Sequence, residues 1–405
     1  MSGAGPPSAA LPAGALAGRR VLVTGASGFI GGRLAERLVL HHGAEVRVLV
    51  RSVSSALRVA RLPVEFRRGD VTDEAGVAAA LEGCELLFHC AYGTSGSQKH
   101  RAFVNRAGTE RVLRAAERAR VGRVVHLSTL MVYGRTADGD LDETSPRRRF
   151  GNAYSDSKLA AEALALGAAR AGRVPVTVLQ PTGVYGPWGG VWTVQPLRAL
   201  SGGRVVLVDG GRGLANMVYV DDLVSAMLLA AVREGAVGEA FLVSGAEPVT
   251  WKELYERYAA MLPPGPQRTV EMSAADARAH HRAWRRSVPR LHRELLASVR
   301  GDRELRERLF ATRELRALRE LASSALPERW QERIKAGMGS RGGPPPARDA
   351  ELPVHPVTPE MIDFFAARTR VRIDKARRVL GYEPAFSLAR GMELTEAWAR
   401  WAGLA

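Results

Sequence analysis

Gly25-Ala26-Ser27-Gly28-Phe29-Ile30-Gly31 constrains the fold of this chain more than any other stretch. Arg20–Thr24 before it reads as a short apolar strand. Phe29, Ile30, Leu34 and Leu38 after it recur at helical spacing. A strand, a glycine turn and a helix in that order form a site for the pyrophosphate of a dinucleotide. Gly25 permits the tight turn, Gly28 lets backbone approach a phosphate, and Gly31 lets helix and strand pack closely. The helix N-terminus adds free N–H groups and a positive partial charge.

The alternation continues downstream. Residues 45–50, 64–70, 85–89, 123–128 and 174–179 read as strands, with helical periodicity over 101–120 and 154–171. This pattern predicts an α/β chain built on a Rossmann-like, doubly wound parallel sheet with right-handed crossovers, its ligands beyond the carboxyl ends of the strands. After residue 180 the rhythm loosens. Short strands are expected at 205–208, 216–220 and 240–243, and a helix opens at Asp221-Asp222, acidic residues suited to a helix N-terminus. The expected organisation is a disordered lead at 1–18, a nucleotide-binding domain at 19–180, and mixed strands and helices at 181–262 that complete the sheet and cleft. A basic helical insertion at 263–370 and substrate-domain helices at 371–405 follow, giving a smaller C-terminal substrate-binding domain. Within the insertion, Leu291, Leu295, Leu296 and Val299, then Leu305, Leu309, Leu315 and Leu318, have helical spacing, and 337–346 reads as a hinge.

Composition narrows the function classes. With 405 residues, 46% hydrophobic and 25% charged, the chain has the make-up of a globular protein with one or two domains. No run approaches the roughly 18 apolar residues of a membrane span, and the first 18 residues lack a basic start and a continuous apolar stretch. Cys84 and Cys90 form neither a disulfide framework nor a metal signature. A reducing cytoplasm is expected. The net charge of +16 invites a nucleic-acid reading, but acidic residues interleave with most basic stretches and no helix-turn-helix, zinc or RNA-recognition signature is present. Specific nucleic-acid binding is therefore not expected. An anionic small-molecule substrate fits the charge.

Tyr154-Ser155-Asp156-Ser157-Lys158 opens the helix after the fifth strand, with Tyr and Lys on one face. A free phenol titrates near 10; a nearby ammonium favours the phenolate and is expected to lower that value. With this pair the chain resembles the extended short-chain dehydrogenase/reductase superfamily, in its nucleotide-sugar epimerase/dehydratase branch. The resemblance covers about 20–245 and resumes at 371–401. Besides the glycine turn and Tyr154-x-x-x-Lys158 it rests on Gly69-Asp70-Val71-Thr72-Asp73, His89-Cys90-Ala91, Val104-Asn105-x-x-Gly108-Thr109, Ser128-Thr129-x-x-Val132-Tyr133-Gly134, Pro181-x-x-Val184-Tyr185-Gly186-Pro187 and Val218-Tyr219-Val220-x-Asp222-Leu223. It implies that Tyr154 moves the hydroxyl proton, that Lys158 tunes it and binds the nicotinamide ribose, and that Thr129 bonds the reacting oxygen. Ser128 is the alternative to Thr129, since strand neighbours face opposite ways. Asp70 and Val71 match the adenine contact. Ala91 and Asn105 match positions lining the cofactor cleft, Asn105 having a helix cap as its other reading. Ser27, Phe29, Ile30, Pro181, Gly183 and Val184 complete the implied cofactor set. A homodimer through the helices after the fourth and fifth strands is implied too.

Arg51 follows the second strand, where an NAD site usually has a carboxylate for the ribose 2′-hydroxyl. A guanidinium there pairs with a 2′-phosphate, so NADP(H) is favoured over NAD(H); a solvated loop charge is the other reading. Dehydratases of the branch carry Asp-Glu after the catalytic Thr. Here Leu130-Met131 stand there, which speaks against 4,6-dehydration. Ala215-Asn216-Met217 replaces an arginine-bearing stretch that holds a sugar nucleotide's diphosphate, leaving Arg198 or Arg212 for that role. The insertion is expected to border the cleft and shape a pocket for a bulky or anionic substrate. The expected function is an NAD(P)-dependent epimerase or oxidoreductase acting on a hydroxyl or ketone of a nucleotide sugar or related metabolite. The alternatives are an NADPH-dependent carbonyl reductase of a non-sugar substrate and a cofactor-sensing binding protein.

Overall fold

The computed structural model describes residues 11–93, 97–287 and 352–405. The first part runs β1 (Arg20–Thr24), α1 (Phe29–His42), β2 (Glu45–Val50), β3 (Glu65–Arg68), α2 (Glu74–Leu81), β4 (Leu86–His89), α3 (Gln98–Arg118), β5 (Arg123–Leu127), β6 (Gly139–Leu141), α4 (Ala153–Arg170) and β7 (Val176–Pro181). Next come β8 (Gly183–Tyr185), α5 (Gln195–Gly202), β9 (Val205–Val208), β10 (Leu214–Ala215), β11 (Met217–Tyr219), α6 (Val220–Val232), β12 (Ala240–Val243), β13 (Val249–Thr250) and α7 (Trp251–Ala260). The described remainder holds β14 (Thr269–Met272), α8 (Ala274–Ser287), α9 (Pro359–Ala366), β15 (Thr369–Val371) and α10 (Leu388–Trp401).

Seven strands form one sheet in the order β12-β7-β5-β4-β1-β2-β3, every pairing parallel. This is the Rossmann-like, doubly wound architecture that the alternation predicts. Strands covered on both faces must be apolar throughout, and the side-chain period of two sorts them. Val21 and Val23 pack with Leu34 and Leu38 of α1 and Leu223 and Met227 of α6. Leu22, Leu87 and Val124 pack on the other face with α2, α3 and α4. A third cluster, containing Tyr185, Leu197, Trp251, Tyr258 and Met392, is the core of the smaller C-terminal part.

Element ends shift for local reasons. α3 starts at Gln98, ahead of the expected 101, because the Ser97 side chain caps it. β3 stops at Arg68 because Asp70 turns to accept from the Thr72 N–H and hydroxyl at 2.8 and 2.7 Å. The disordered lead expected at 1–18 is corrected from residue 11 onward. Leu16 is buried in the core of the first face, and the Gly18 N–H donates to the Gly43 carbonyl at 2.9 Å. Residues 1–10 lie outside the described residues.

Asp221 and Asp222 sit in the first turn of α6, but neither side chain caps it. Asp221 instead accepts from Arg33 at 2.7 Å and Arg37 at 3.2 Å. Asp222 accepts from the Ala385 and Phe386 N–H groups at 2.8 and 3.2 Å, tying down the C-terminal segment. The segment expected to be a helical insertion opens with β14, which pairs in parallel with β9. Both its described ends dock on the body: α9 packs on α8, and Asp363 of α9 binds Arg135 at 3.0 Å and Arg278. The leucine-spaced helices at 291–318 and the hinge at 337–346 lie outside the described residues.

Candidate active site

The glycine turn is built as the sequence predicts. Gly25 has φ of +74°, and a Cβ there would lie 2.7 Å from the Ala91 nitrogen. A Cβ on Gly31 would overlap the Gly25 carbonyl oxygen. Gly28 stands at the N-cap of α1, and no side chain caps that helix. The result is a side-chain-free concavity facing a helix N-terminus, with Ser27 exposed and Phe29 and Ile30 half-buried around it. A diphosphate fits this cradle on both shape and charge.

The candidate catalytic groups lie beyond the carboxyl end of β5. Thr129 follows that strand and accepts from the Met131 N–H at 3.3 Å, opening a short 3₁₀ turn, Leu130–Tyr133. α4 starts at Ala153 because Asn152 caps it, accepting from the Ser155 N–H at 2.8 Å. Asp156 accepts from the Phe150 and Gly151 N–H groups at 2.8 and 3.2 Å and so fixes the approach to Tyr154. The residue is 44% exposed, yet the crowding of its surroundings by protein, and next the neighbouring Tyr92, push the Tyr154 phenol up to about 12, the Thr129 hydroxyl acting in the opposite sense by hydrogen bonding. Ser128 faces away, donating to Glu162 at 2.5 Å. Of the two hydroxyl residues, Thr129 is therefore the one beside Tyr154.

Lys158 is 5% exposed and donates to the Leu127 carbonyl at 2.8 Å. Burial lowers it to about 8, against the raising influence of Cys90 and Glu162. The expected lowering of the phenol is corrected here. The phenol is raised, and the ammonium is taken up by Leu127 and by the face of Tyr92, 5.6 Å from that ring's centroid. Its charge, after burial, depresses the buried His89 to about 3.

Other predicted residues form the frame. Asn105 lies inside α3 and is no cap. Its Oδ1 accepts from the Gly93 N–H at 2.8 Å and its Nδ2 donates to Ser157 at 2.9 Å, joining the loop after β4 to α4. The Ala91 N–H donates to Thr24 at 3.3 Å, and the same hydroxyl meets His89 Nδ1 at 2.8 Å. Asp70 and Val71 follow β3, and Arg51 is exposed just past β2. Pro181 ends β7; Gly183 and Val184 begin β8, where a Cβ on Gly183 would lie 2.6 Å from Met217 Sδ.

Two features escaped the sequence reading. Tyr92 sets its ring edge-on to Tyr154, centroids 6.1 Å apart. Its only sequence signal is its place directly after His89-Cys90-Ala91. Glu162, 1% exposed, accepts from Ser128 and, at 2.8 Å, from Gln180 of β7, and pairs with Arg147 at 2.6 Å. Its signal is the continued spacing Tyr154, Lys158, Glu162 along one face of α4. Asn216 is committed to structure: its side chain donates to the Thr369 carbonyl at 2.8 Å and accepts from the Val371 N–H at 3.0 Å.

The family model described as NAD dependent epimerase/dehydratase family matches residues 21–244. A 4-hydroxy-2-methyl-3-oxo-4-farnesyl-3,4-dihydroquinoline-1-oxide ketoreductase of Stigmatella aurantiaca is 35% identical over 286 residues, 67% of this chain and 82% of that protein. A 3 beta-hydroxysteroid dehydrogenase/Delta 5-->4-isomerase of Mycobacterium tuberculosis is 33% identical over 251 residues, 58% of this chain and 67% of that protein. Among solved structures, UDP-glucose 4-epimerase of Thermotoga maritima superposes with a TM-score of 0.64 at 21% identity, covering 95% of this chain and 99% of that one. That likeness concerns the fold.

Proposed function

The chain belongs to the NAD dependent epimerase/dehydratase family, and we propose that this enzyme is an NADP(H)-preferring oxidoreductase that reduces a ketone to an alcohol, or the reverse. The observation that carries the reading is Thr129 set beside Tyr154, with Lys158 one turn along α4, beyond the strand ends next to the glycine turn. A bound reduced nicotinamide supplies the hydride for the carbonyl carbon. The chain's own groups handle the oxygen and the cofactor. Thr129 donates a hydrogen bond to the carbonyl oxygen, and Tyr154 gives it a proton. At neutral pH the phenol holds its proton, the form that gives it to the carbonyl oxygen. Lys158 supplies positive charge beside the cofactor's ribose. The turn Gly25, Ser27, Gly28, Phe29, Ile30 and Gly31 holds the diphosphate, and Arg51 pairs with a 2′-phosphate. Asp70, Val71, Ala91, Asn105, Pro181, Gly183 and Val184 line the same cleft.

Two substrate classes compete. The nucleotide sugar implied by the resemblance needs a diphosphate clamp. Asn216, in the stretch that would supply it, is bound to β15 instead. The relatives named for farnesyl-quinoline and steroid chemistry favour a ketone or alcohol on a largely apolar body, and this is the reading adopted. Leu130 and Met131 beside Thr129 carry no group that moves a proton, so elimination of water is not expected.

The test is purified protein with NADPH or NADH and a panel of nucleotide sugars, steroid ketones and alkyl ketones. Net loss of the reduced-nicotinamide absorbance with a ketone supports a reductase. Product without net absorbance change would make it an epimerase. Tight cofactor binding with turnover of none of the panel would shift the reading to a cofactor-sensing protein.

A further inference from the structure

Three tryptophans from distant parts of the chain meet at the rim of the cleft. Trp188 lies between β8 and α5, and Trp398 and Trp401 lie in the last turns of α10. The Trp188 ring centroid is 5.8 Å from that of Trp398 and 6.1 Å from that of Trp401. Trp188 is 46% exposed and Trp401 74%. Large apolar side chains grouped and left open at a cleft mark a binding surface more often than a solvated one.

The backbone of Trp188 adds a second, independent sign. Its φ is +72°, a conformation that residues with a bulky side chain rarely adopt. Strain of this kind persists where the surroundings hold it, and it concentrates at ligand-handling sites. Here Arg58 lies against the ring. The guanidinium lies 5.4 Å from the Trp188 ring centroid, donates to the Phe29 carbonyl at 3.2 Å and binds Glu36 at 3.1 and 3.0 Å. Gly189 abuts the Phe29 ring, a Cβ there lying 3.3 Å from its Cε1. The tryptophan surface is thus continuous with the glycine turn of the candidate active site.

We propose that Trp188 and Trp401 form an apolar subsite that holds the hydrocarbon part of the substrate, away from the reacting carbonyl. The inference rests on the proposed reading of the enzyme as acting on a carbonyl or alcohol. Arg58 and Arg61 share the single carboxylate of Glu36, which leaves positive charge in surplus, while Arg400 pairs with Glu396; the hydrocarbon reading rests on the open indole surface and not on charge. Size does not favour a second copy of the chain. A stable interface needs about 800 Å² from each partner, several times what two indole faces present. A hydrocarbon chain or fused ring matches both the area and the chemistry.

The experiment is calorimetric binding of 2-heptanone, 2-nonanone and 2-undecanone to the full chain, in wild type, Trp188→Ala and Trp401→Ala. Wild-type affinity should rise about two- to four-fold per added methylene. In either variant the rise should flatten, with NADP affinity unchanged. Trp401 is the more exposed of the two, so its variant serves should Trp188→Ala not fold. Equal chain-length dependence in wild type and variants, or none in wild type, overturns the proposal. So does a change in molar mass by light scattering in Trp401→Ala, which would assign the face to contact between copies. Binding needs no turnover. Long ketones held through the tryptophans, in a protein that turns over none of the ketones or alcohols of the panel, would therefore sustain the subsite and overturn the carbonyl-reductase reading instead.

Discussion

Replacing Lys158 by Met should make the protein less active and, at neutral pH, no less stable. Lys158 is 5% exposed and burial lowers its ammonium from 10.5 to about 8. At about 1.36 kcal/mol per pH unit, the folded state disfavours this charge by about 3 kcal/mol relative to the unfolded chain. The sign follows from proton binding. Between about 8 and 10.5 the unfolded chain holds the proton more firmly than the folded one, so wild-type stability rises with pH across that window. Below about 8 both states are protonated and the full cost is present. Methionine has no such dependence. It also leaves the Leu127 carbonyl without its 2.8 Å donor, a loss of about 1–3 kcal/mol that does not vary with pH. The stability difference between Lys158→Met and wild type should therefore favour the variant most below pH 8. It should shift against the variant by about 3 kcal/mol between pH 8 and 10.5. Urea unfolding followed by circular dichroism from pH 6.5 to 10.5 measures this. Groups titrating elsewhere cancel in the difference. A difference that stays flat within about 1 kcal/mol would show that the ammonium is solvated in the folded protein and that the argument from burial is wrong.

Three further outcomes are expected. Tyr154→Phe should lower kcat about 10²- to 10⁴-fold while calorimetry still finds NADP bound, since the glycine turn is untouched. Thr129→Ala should lose activity with little loss of stability, whereas Ser128→Ala, which strips a donor from the buried Glu162, should cost about 1–3 kcal/mol in urea unfolding. Arg51→Ala should cut the ratio of kcat/KM for NADPH over NADH about ten-fold or more, if it removes a charge-assisted bond worth about 1.5–3 kcal/mol; an unchanged ratio would return Arg51 to the role of a loop charge.

The glycine turn was legible because its signals are local. Gly25, Gly28 and Gly31 lie within one turn, and each restriction has a direct structural cause: a positive φ at Gly25, an uncapped helix start at Gly28, a carbonyl too close for a Cβ at Gly31. Tyr154 and Lys158 share a helix face by spacing alone. Their electrostatics were not legible. Proximity in sequence predicts that the ammonium lowers the phenol, yet the crowding of its surroundings by protein raises Tyr154, and the Leu127 carbonyl holds the ammonium. Choosing between Ser128 and Thr129 likewise needed the partner on α4. Glu162 selects Ser128 and so leaves Thr129 for the cleft.

The substrate half is illegible for a related reason. Its contacts join residues that no window of sequence brings together. Trp188 meets Trp401, and Arg135, just past the turn that follows Thr129, meets Asp363 of α9 at 3.0 Å. These links depend on how the C-terminal elements fold back over the sheet. Asp222 fixes that path by gripping the backbone at Ala385 and Phe386. Burial raises the Asp222 carboxyl to about 7, so near neutrality the grip depends on a carboxylate held at a desolvation cost, offset by those two donors. The strap that carries α10 and its tryptophans to the cleft is therefore the part of the substrate side most exposed to substitution at one residue. Its anchor lies on α6, whose apolar face is part of the nucleotide-binding core. The C-terminal segment that carries the proposed subsite is thus anchored on the nucleotide-binding half of the fold, and no motif ending at the glycine turn could announce it.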